Sequence, residues 1–252
     1  IPIWPFHYWI SSVNSAARNP LVFIIVNLVP LTGVYGFIRF CPRAVPASVE
    51  YYLTGLEIIA VISMLFIALI GLINKDMQYK IFAYVTASYI LFLLGSLLPS
   101  DKILLNIGFS LFAFIIIFAA LEVLTTYLTG EQDDKAVAPH GILCRVPRLS
   151  FVYSFMILAA VGMPLSSLFL NNFVILSYLF SYNIRLGVLI MLSLLFVFIS
   201  LMQELYMFKD SSRINPDTAC IMDISGRTFG WMSLLAGLLL VAFVNPLWFI
   251  GR

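Results

Sequence analysis

A chain of 252 residues that is 62% hydrophobic, 15% aromatic and only 10% charged is no ordinary soluble domain, in which about 25% of residues carry charge; it is a polytopic membrane protein. Its net charge of +2 is too small to suggest a nucleic-acid partner, which a basic patch would mark. Cys41, Cys144 and Cys220 are scattered, with no CxxC or Cys/His spacing, so neither a metal site nor a disulfide framework is readable.

In chain order, residues 1–19 come first. They read as an interfacial segment, because Trp4, Phe6, Tyr8 and Trp9 are amphipathic rings that prefer the headgroup level. His7 lies among them, where a lone histidine is more often a hydrogen-bonding tip than a ligand. The first residue is isoleucine, and no basic stretch followed by an apolar one and a cleavage site appears, so the sequence reads as a piece of something longer or a processed product. Seven apolar stretches follow: Pro20–Ile38, Tyr52–Ile73, Ile81–Leu98, Ile103–Leu128, Leu149–Phe180, Leu186–Gln203 and Thr228–Ile250. A bilayer core of ~30 Å needs ~20 apolar residues per helix, whereas barrel strands would be ~10 residues of alternating polarity. The expected fold class is therefore all-α and polytopic, one transmembrane domain over 1–252 with about seven helices.

Two of the stretches carry helix breakers. "VNLVPLTGVYG" places Asn27, Pro30, Thr32 and Gly33 inside the first. The run Leu149–Phe180 has no charge and holds "GMPLSSLFLNNFVIL" from Gly162 to Leu176. As one straight helix the run would be ~48 Å long, far beyond the bilayer core, while two separate spans would be too short. A single span broken near Pro164 fits, since proline removes a backbone hydrogen bond and clashes with the preceding turn. In lipid the freed carbonyls need partners, and Ser166, Ser167, Asn171 and Asn172 are placed to supply them. Interrupted spans point to an ion or substrate path, although proline, glycine and serine are also ordinary helix glue in membranes.

Ionisable residues are few inside the spans, where a charge costs ~2.5–3.5 kcal/mol near the centre. Glu57, Glu122 and Glu204 read as headgroup-level anchors. "NKDMQYKIFAY" puts Lys75, Asp76 and Lys80 at one mouth, where anchoring and function are equally served. Basic residues mark the cytoplasmic side. The N-terminal segment and the loops after the second, fourth and sixth stretches carry nine of them (Arg18, Lys75, Lys80, Lys135, Arg145, Arg148, Lys209, Arg213, Arg227), against five on the other side (Arg39, Arg43, Lys102, Arg185, Arg252). Loops 130–148 and 209–227 are thus assigned to the cytoplasm. His140 has no visible partner, and no nucleophile–base pair, phosphate-cradling loop or carboxylate pair suggests catalysis within the chain.

The order of motifs resembles the antiporter-like proton-channel subunits of respiratory NADH–quinone oxidoreductase, especially the M-type, which are related to subunits of Mrp-type cation/proton antiporters. "IPIWPFHYW" is similar to the family's P-F-H-x-W-L-P-D-A-H segment, and "GVYGFIRF" (Gly33–Phe40) to its Y-G-L-L-R-F helix end. "DMQYKIFAYVTASYI" (Asp76–Ile90) resembles D-I-K-R-L-x-A-Y-S-S-V-S-H-M. "RVPRLSFVYSFMILAAVGMPLSSLFLNNFVIL" (Arg145–Leu176) resembles K-M-P-x-L…S-x-G-x-P-G-x-x-x-F-x-G-E-F. The resemblance covers nearly the whole chain and implies the C-terminal half of a longer subunit.

It also exposes departures. The family's proton-transfer lysine aligns near Leu31, and the lysine of its D-I-K-R helix aligns with Tyr79 or, shifted by one, Lys80. The family histidine aligns with Tyr89, the acid of G-E-F with Asn172 and the preceding glycine with Asn171, and L-P-D-A-H has become Ile10–Asn14. In the family the broken helix hydrates an acid on the proton path. Asparagine hydrogen-bonds water but carries no proton at ordinary pH. The resemblance therefore implies a multi-pass membrane-arm subunit, most simply in a bacterial cytoplasmic membrane, with lipid, protons and other membrane subunits as partners. No cofactor is expected in this chain, and flavin, iron–sulfur and quinone chemistry would sit in partner subunits. Any surviving proton path would use Lys80, Tyr84, Tyr89, Asn171, Asn172 and His7. Because three family positions have lost titratable groups, the sequence favours a mainly structural subunit over a conducting one. A sodium/proton antiporter subunit is the alternative.

Overall fold

A computed structural model of the chain describes residues 20–44, 50–74, 77–97, 101–130, 146–162 and 166–209, together with Ile3 and seven positions between 226 and 234. Segment 1–19 apart from Ile3, His7, Pro164, and the greater part of loops 130–148 and 209–227 and of the seventh stretch lie outside the described residues.

Among the described residues seven helices are delimited, α1 (Pro20–Ala44), α2 (Glu50–Ile73), α3 (Met77–Ser96), α4 (Asp101–Gly130), α5 (Pro147–Val161), α6 (Ser167–Tyr182) and α7 (Ile184–Lys209), and residues 226, 228–232 and 234 are helical as well. Among the described residues the protein is all-α. Thr54–Ile73, Tyr79–Ser96 and Ile184–Lys209 are long and apolar enough to cross a membrane, and Ile24–Phe37, Ser110–Thr125, Pro147–Val161 and Leu168–Tyr182 are shorter apolar segments. On α2, Ile58, Ile59, Ile62 and Phe66 stand exposed, and on α7 so do Val188, Met191, Leu195 and Phe198. These recur at helical spacing, and so extensive an apolar face is expected against hydrocarbon rather than water.

Helix α3 is the axis of the bundle, packed against α1, α2, α4, α6 and α7. α2 also lies along α7, and α4 along both α5 and α6. Among the described glycines the closest approach of helices is at Gly71. A Cβ there would stand 2.5 Å from Ala83 Cβ on α3 and 3.5 Å from Ser200 Oγ on α7. Ser200 Oγ donates to the Gly71 carbonyl at 2.8 Å. Small residues of this kind let helix backbones approach where no hydrophobic force drives them together.

The long run 149–180 divides into α5 and α6, each of 15 to 16 residues and hence ~24 Å or less, short of the bilayer core. Gly162 closes α5 in the left-handed region at φ 85°, its N–H reaching the Ala159 carbonyl at 3.1 Å, the conformation that glycine tolerates at a helix end. Ser166 opens α6 from an extended conformation, its Oγ accepting from the Phe169 N–H at 3.3 Å, as an N-cap does.

Pro30 does not repeat that design. The expectation of a break there is corrected: α1 continues through it as one helix of 25 residues. Proline deprives the Val26 carbonyl of its donor and crowds the preceding turn, but the neighbouring helix supports that turn, with Tyr89 Oη donating to the Asn27 carbonyl at 2.5 Å. Thr32 Oγ1 ties back to the Val29 carbonyl at 2.7 Å. The Tyr89–Asn27 bond stands at the carbonyl next to the one that proline orphans, where a neighbouring helix can support the turn.

Candidate functional site

Two interior regions collect the polar and aromatic side chains. The first lies midway along α3. Phe114 of α4 is ringed by Tyr84, Tyr89 and Phe92 of α3 at 5.7, 5.3 and 5.7 Å between centroids, and stacks at 6.2 Å on Phe118. The contacts with Tyr89 and Phe92 are edge-on, a geometry aromatic pairs favour. Tyr89 Oη is committed to the Asn27 carbonyl. Tyr84 Oη has Ser88 one turn along but outside hydrogen-bonding geometry. This region is filled by rings rather than by groups that bind and release protons.

The second region is at the end of the bundle where α3 begins and α4 and α7 finish. Lys80, Glu122, Tyr153 and Glu204 come together there from α3, α4, α5 and α7, at 2, 3, 0 and 1% exposure. Tyr153 Oη donates to Glu204 Oε1 at 2.5 Å. The Lys80 ammonium acts on Glu204 through space, and Glu122 acts likewise on Tyr153. Glu204 Oε2 is buried with no hydrogen-bond partner. Phe208, one turn beyond Glu204, packs edge-on against the Tyr153 ring at 5.4 Å. The Ser200–Gly71 bond lies one turn before Glu204 on the same face. Unpaired charge in such a place is costly, and the Lys80 ammonium is the charge that offsets a Glu204 carboxylate there.

Of the residues singled out by sequence, Lys80 thus belongs to the charged end, while Tyr84 and Tyr89 belong to the aromatic middle. Nine residues separate Lys80 from Tyr89, which turns the helix by about 180° relative to a whole number of turns, so the two face opposite ways and do not line one path. Asn171 is fully buried on α6, and neither Oδ1 nor Nδ2 meets a hydrogen-bond partner. Asn172 is partly buried, its Nδ2 3.5 Å from where a Cβ on Gly162 would lie. The asparagines therefore stand at the α5–α6 break, apart from Lys80. His7 and Pro164 lie outside the described residues.

The reading of Glu57, Glu122 and Glu204 as headgroup anchors is corrected, because all three turn into the bundle. Glu57 Oε2 is buried without a partner on α2, toward the opposite end. Tyr153 and Glu204 escaped the sequence reading altogether as a pair. The signal was present in α7, where the buried stripe Leu186, Ile190, Ser193, Val197, Ser200, Glu204 and Phe208 repeats at helical spacing. Among the described residues, no grouping of three or more His, Cys, Asp or Glu is placed to hold a metal ion.

An all-α multi-pass membrane protein, with a broken helix beside a central one and a buried charged cluster at one end, is the class these features define. Residues 1–200 match the NADH:quinone oxidoreductase/Mrp antiporter transmembrane family, and the chain belongs to it. It is 28% identical over 191 residues to NADH-ubiquinone oxidoreductase chain 4 of Metridium senile, covering 75% of this chain and 39% of the relative. It is 23% identical over 254 aligned positions to NADH-quinone oxidoreductase subunit M of Mycobacterium tuberculosis, covering 97% and 44%. A chain of respiratory complex I from Thermus thermophilus with bound NADH has the same fold, with a TM-score of 0.83 at 21% identity over 97% of this chain and 52% of that one. The chain therefore spans about two fifths of the length of these curated relatives.

Proposed function

We propose that this chain is part of a membrane-arm subunit of a proton-translocating NADH–quinone oxidoreductase, one that holds its place in the complex without passing protons through its own middle. The observation that carries the assignment is the family match over residues 1–200. The mechanism draws on the middle of the bundle, where Phe114 and its ring neighbours pack and where the aligned positions Leu31, Tyr89 and Asn172 offer no lysine, histidine or carboxylate. A relay of buried sites works because each binds and releases a proton in turn, and leucine and asparagine do neither. Flavin, iron–sulfur and quinone chemistry belongs to partner subunits in this reading, and the chain couples to it by shape and electrostatics within a bacterial cytoplasmic membrane.

The second reading, a sodium/proton antiporter subunit, is favoured by one observation, the two buried carboxyls Glu204, on which Lys80 acts, and Glu122, which acts on Tyr153. Gentle solubilisation of native membranes, followed by isolation of whatever contains this chain and identification of its partners, separates the two. Co-purification with flavin and iron–sulfur subunits is the expected result. A chain isolated free of them, in an assembly that exchanges sodium for protons, would sink the first reading.

A further inference from the structure

We propose that Glu204, Tyr153, Lys80 and Glu122 form a proton-binding site at one end of the bundle, in which Glu204 Oε2 takes and releases the exchangeable proton. The site is distinct from the aromatic middle, and the proposal stands whether the chain assembles with an NADH dehydrogenase or with an antiporter.

The geometry assigns the parts. Glu204 is 1% exposed and sits on the buried stripe of α7. Its Oε1 is occupied by the Tyr153 hydroxyl at 2.5 Å, while Oε2 faces the interior with no hydrogen-bond partner. Oε2 is thus the oxygen left to carry a proton. Lys80 supplies the positive charge that balances the carboxylate when the proton leaves. The groups on each packed helix can be named. α2 brings Glu57, 14 residues from Gly71 and so roughly 20 Å from this end. α3 brings Lys80, and α5 brings Tyr153, with Arg148 exposed at its start. α4 brings Glu122, which acts on Tyr153. α6 contributes no charged side chain, and the other charges of α7, Arg185 and Lys209, are exposed. Lys80 lies three residues into α3 and Glu204 five before the end of α7, so the site is within about two turns of the helix ends. Proton uptake balances simply: hydronium gives up a proton and leaves water, one O–H bond forms at Oε2, and the carboxylate becomes a carboxylic acid. Tyr153 keeps its own proton throughout and continues to donate it to Oε1. Tyr153 and Lys80 are positioning residues, and Glu204 is the group that binds.

The test uses the protein in whatever assembly it keeps on isolation from native membranes, reconstituted in lipid. The pH is stepped and the carbonyl stretch of protonated carboxyls is followed by infrared difference spectroscopy. The expected result is a carboxyl band that rises and falls with pH in the wild type and is absent in E204Q. In Y153F the band persists but moves to higher frequency, because the carbonyl no longer accepts a hydrogen bond. E204Q spectra identical to wild type would overturn the proposal. If E204Q does not accumulate, Y153F decides, and a band unmoved in that variant overturns it. Loss of the band on adding sodium at constant pH would also overturn it, in favour of a cation site.

Discussion

The aromatic middle and the charged end are equally buried, yet they are built from opposite materials. Around Phe114, Tyr89 Oη serves the backbone of a neighbour at Asn27 and Thr86 Oγ1 that of its own helix at Phe82. Around Glu204 a hydroxyl serves a carboxylate, and one carboxylate oxygen is left over. The difference teaches where polarity can sit in a membrane bundle. Helix α3 is the least apolar of the three long spans and also the most enclosed, with 89% of its span buried against 39% for α7. A helix shielded by protein on all sides need not be apolar, whereas one that faces lipid must be. The position of titratable groups along such a shielded helix is then free to vary, and in this chain they stand at one end.

If the middle is a packed plug, removing its hub should have the largest effect. Phe114→Ala is expected to cost about 3 kcal/mol, the low end for a buried phenylalanine, because the apolar surroundings of the unfolded state weaken the transfer contribution and leave the cavity. Unfolding in mixed micelles measures it, and a loss below 1 kcal/mol would mean the rings are loosely packed. Gly71→Ala probes the charged end from its neighbour. A methyl there meets Ala83 Cβ at 2.5 Å, both atoms being fixed to backbone, so α2 and α3 must separate. Overpacking of this kind costs about 1–3 kcal/mol, and the Ser200–Gly71 bond should weaken with it. An unchanged midpoint would place the helix crossing farther apart than described.

Tyr89→Phe sharpens the contrast between strut and relay. Tyr89 stands where the resemblance puts a histidine, and its hydroxyl holds the Asn27 carbonyl near Pro30. Loss of that bond should lower stability by about 0.5–1.5 kcal/mol while proton pumping by the complex proposed above, followed with a pH-sensitive dye in vesicles, stays as it was. Pumping lost at unchanged stability would put Tyr89 back on a proton route.

Much of this was legible in the sequence. Stretches of ~20 apolar residues announce helices, and the 32 residues of 149–180 were too long for one straight span, which forecast the break that Gly162 and Ser166 now frame. The faces of the helices were harder to read. Lipid and protein interior are both apolar, so hydropathy does not tell which side of α7 is inside. Glu204 looked like an end-of-span anchor for that reason. The spacing of Ser193, Ser200 and Glu204, all on one face and all buried, held the information that hydropathy lacked. Pro30 was misread because a proline's effect depends on what packs beside it, and the tyrosine that supports its turn lies 62 positions away in sequence from Asn27.

The smallest effect is expected at the break itself. Asn171 is fully buried on α6 and neither of its amide atoms meets a hydrogen-bond partner. Deleting such an amide removes no bond, and filling the space with an apolar side chain of similar volume is close to neutral. Asn171→Leu should therefore change stability by less than about 1 kcal/mol and leave assembly intact. A drop of several kcal/mol would mean that ordered water holds the amide, since stripping a bridging water from buried polar groups is costly. The break would then be a hydrated gap of the kind the family resemblance implies, and the middle of the bundle would be less closed than the packing of Phe114 suggests. The same measurement on Asn172→Leu locates such water, because Asn172 lies against Gly162 on the α5 side. A penalty at Asn171 alone would place the water deep in the bundle, and a penalty at both would run it through the break.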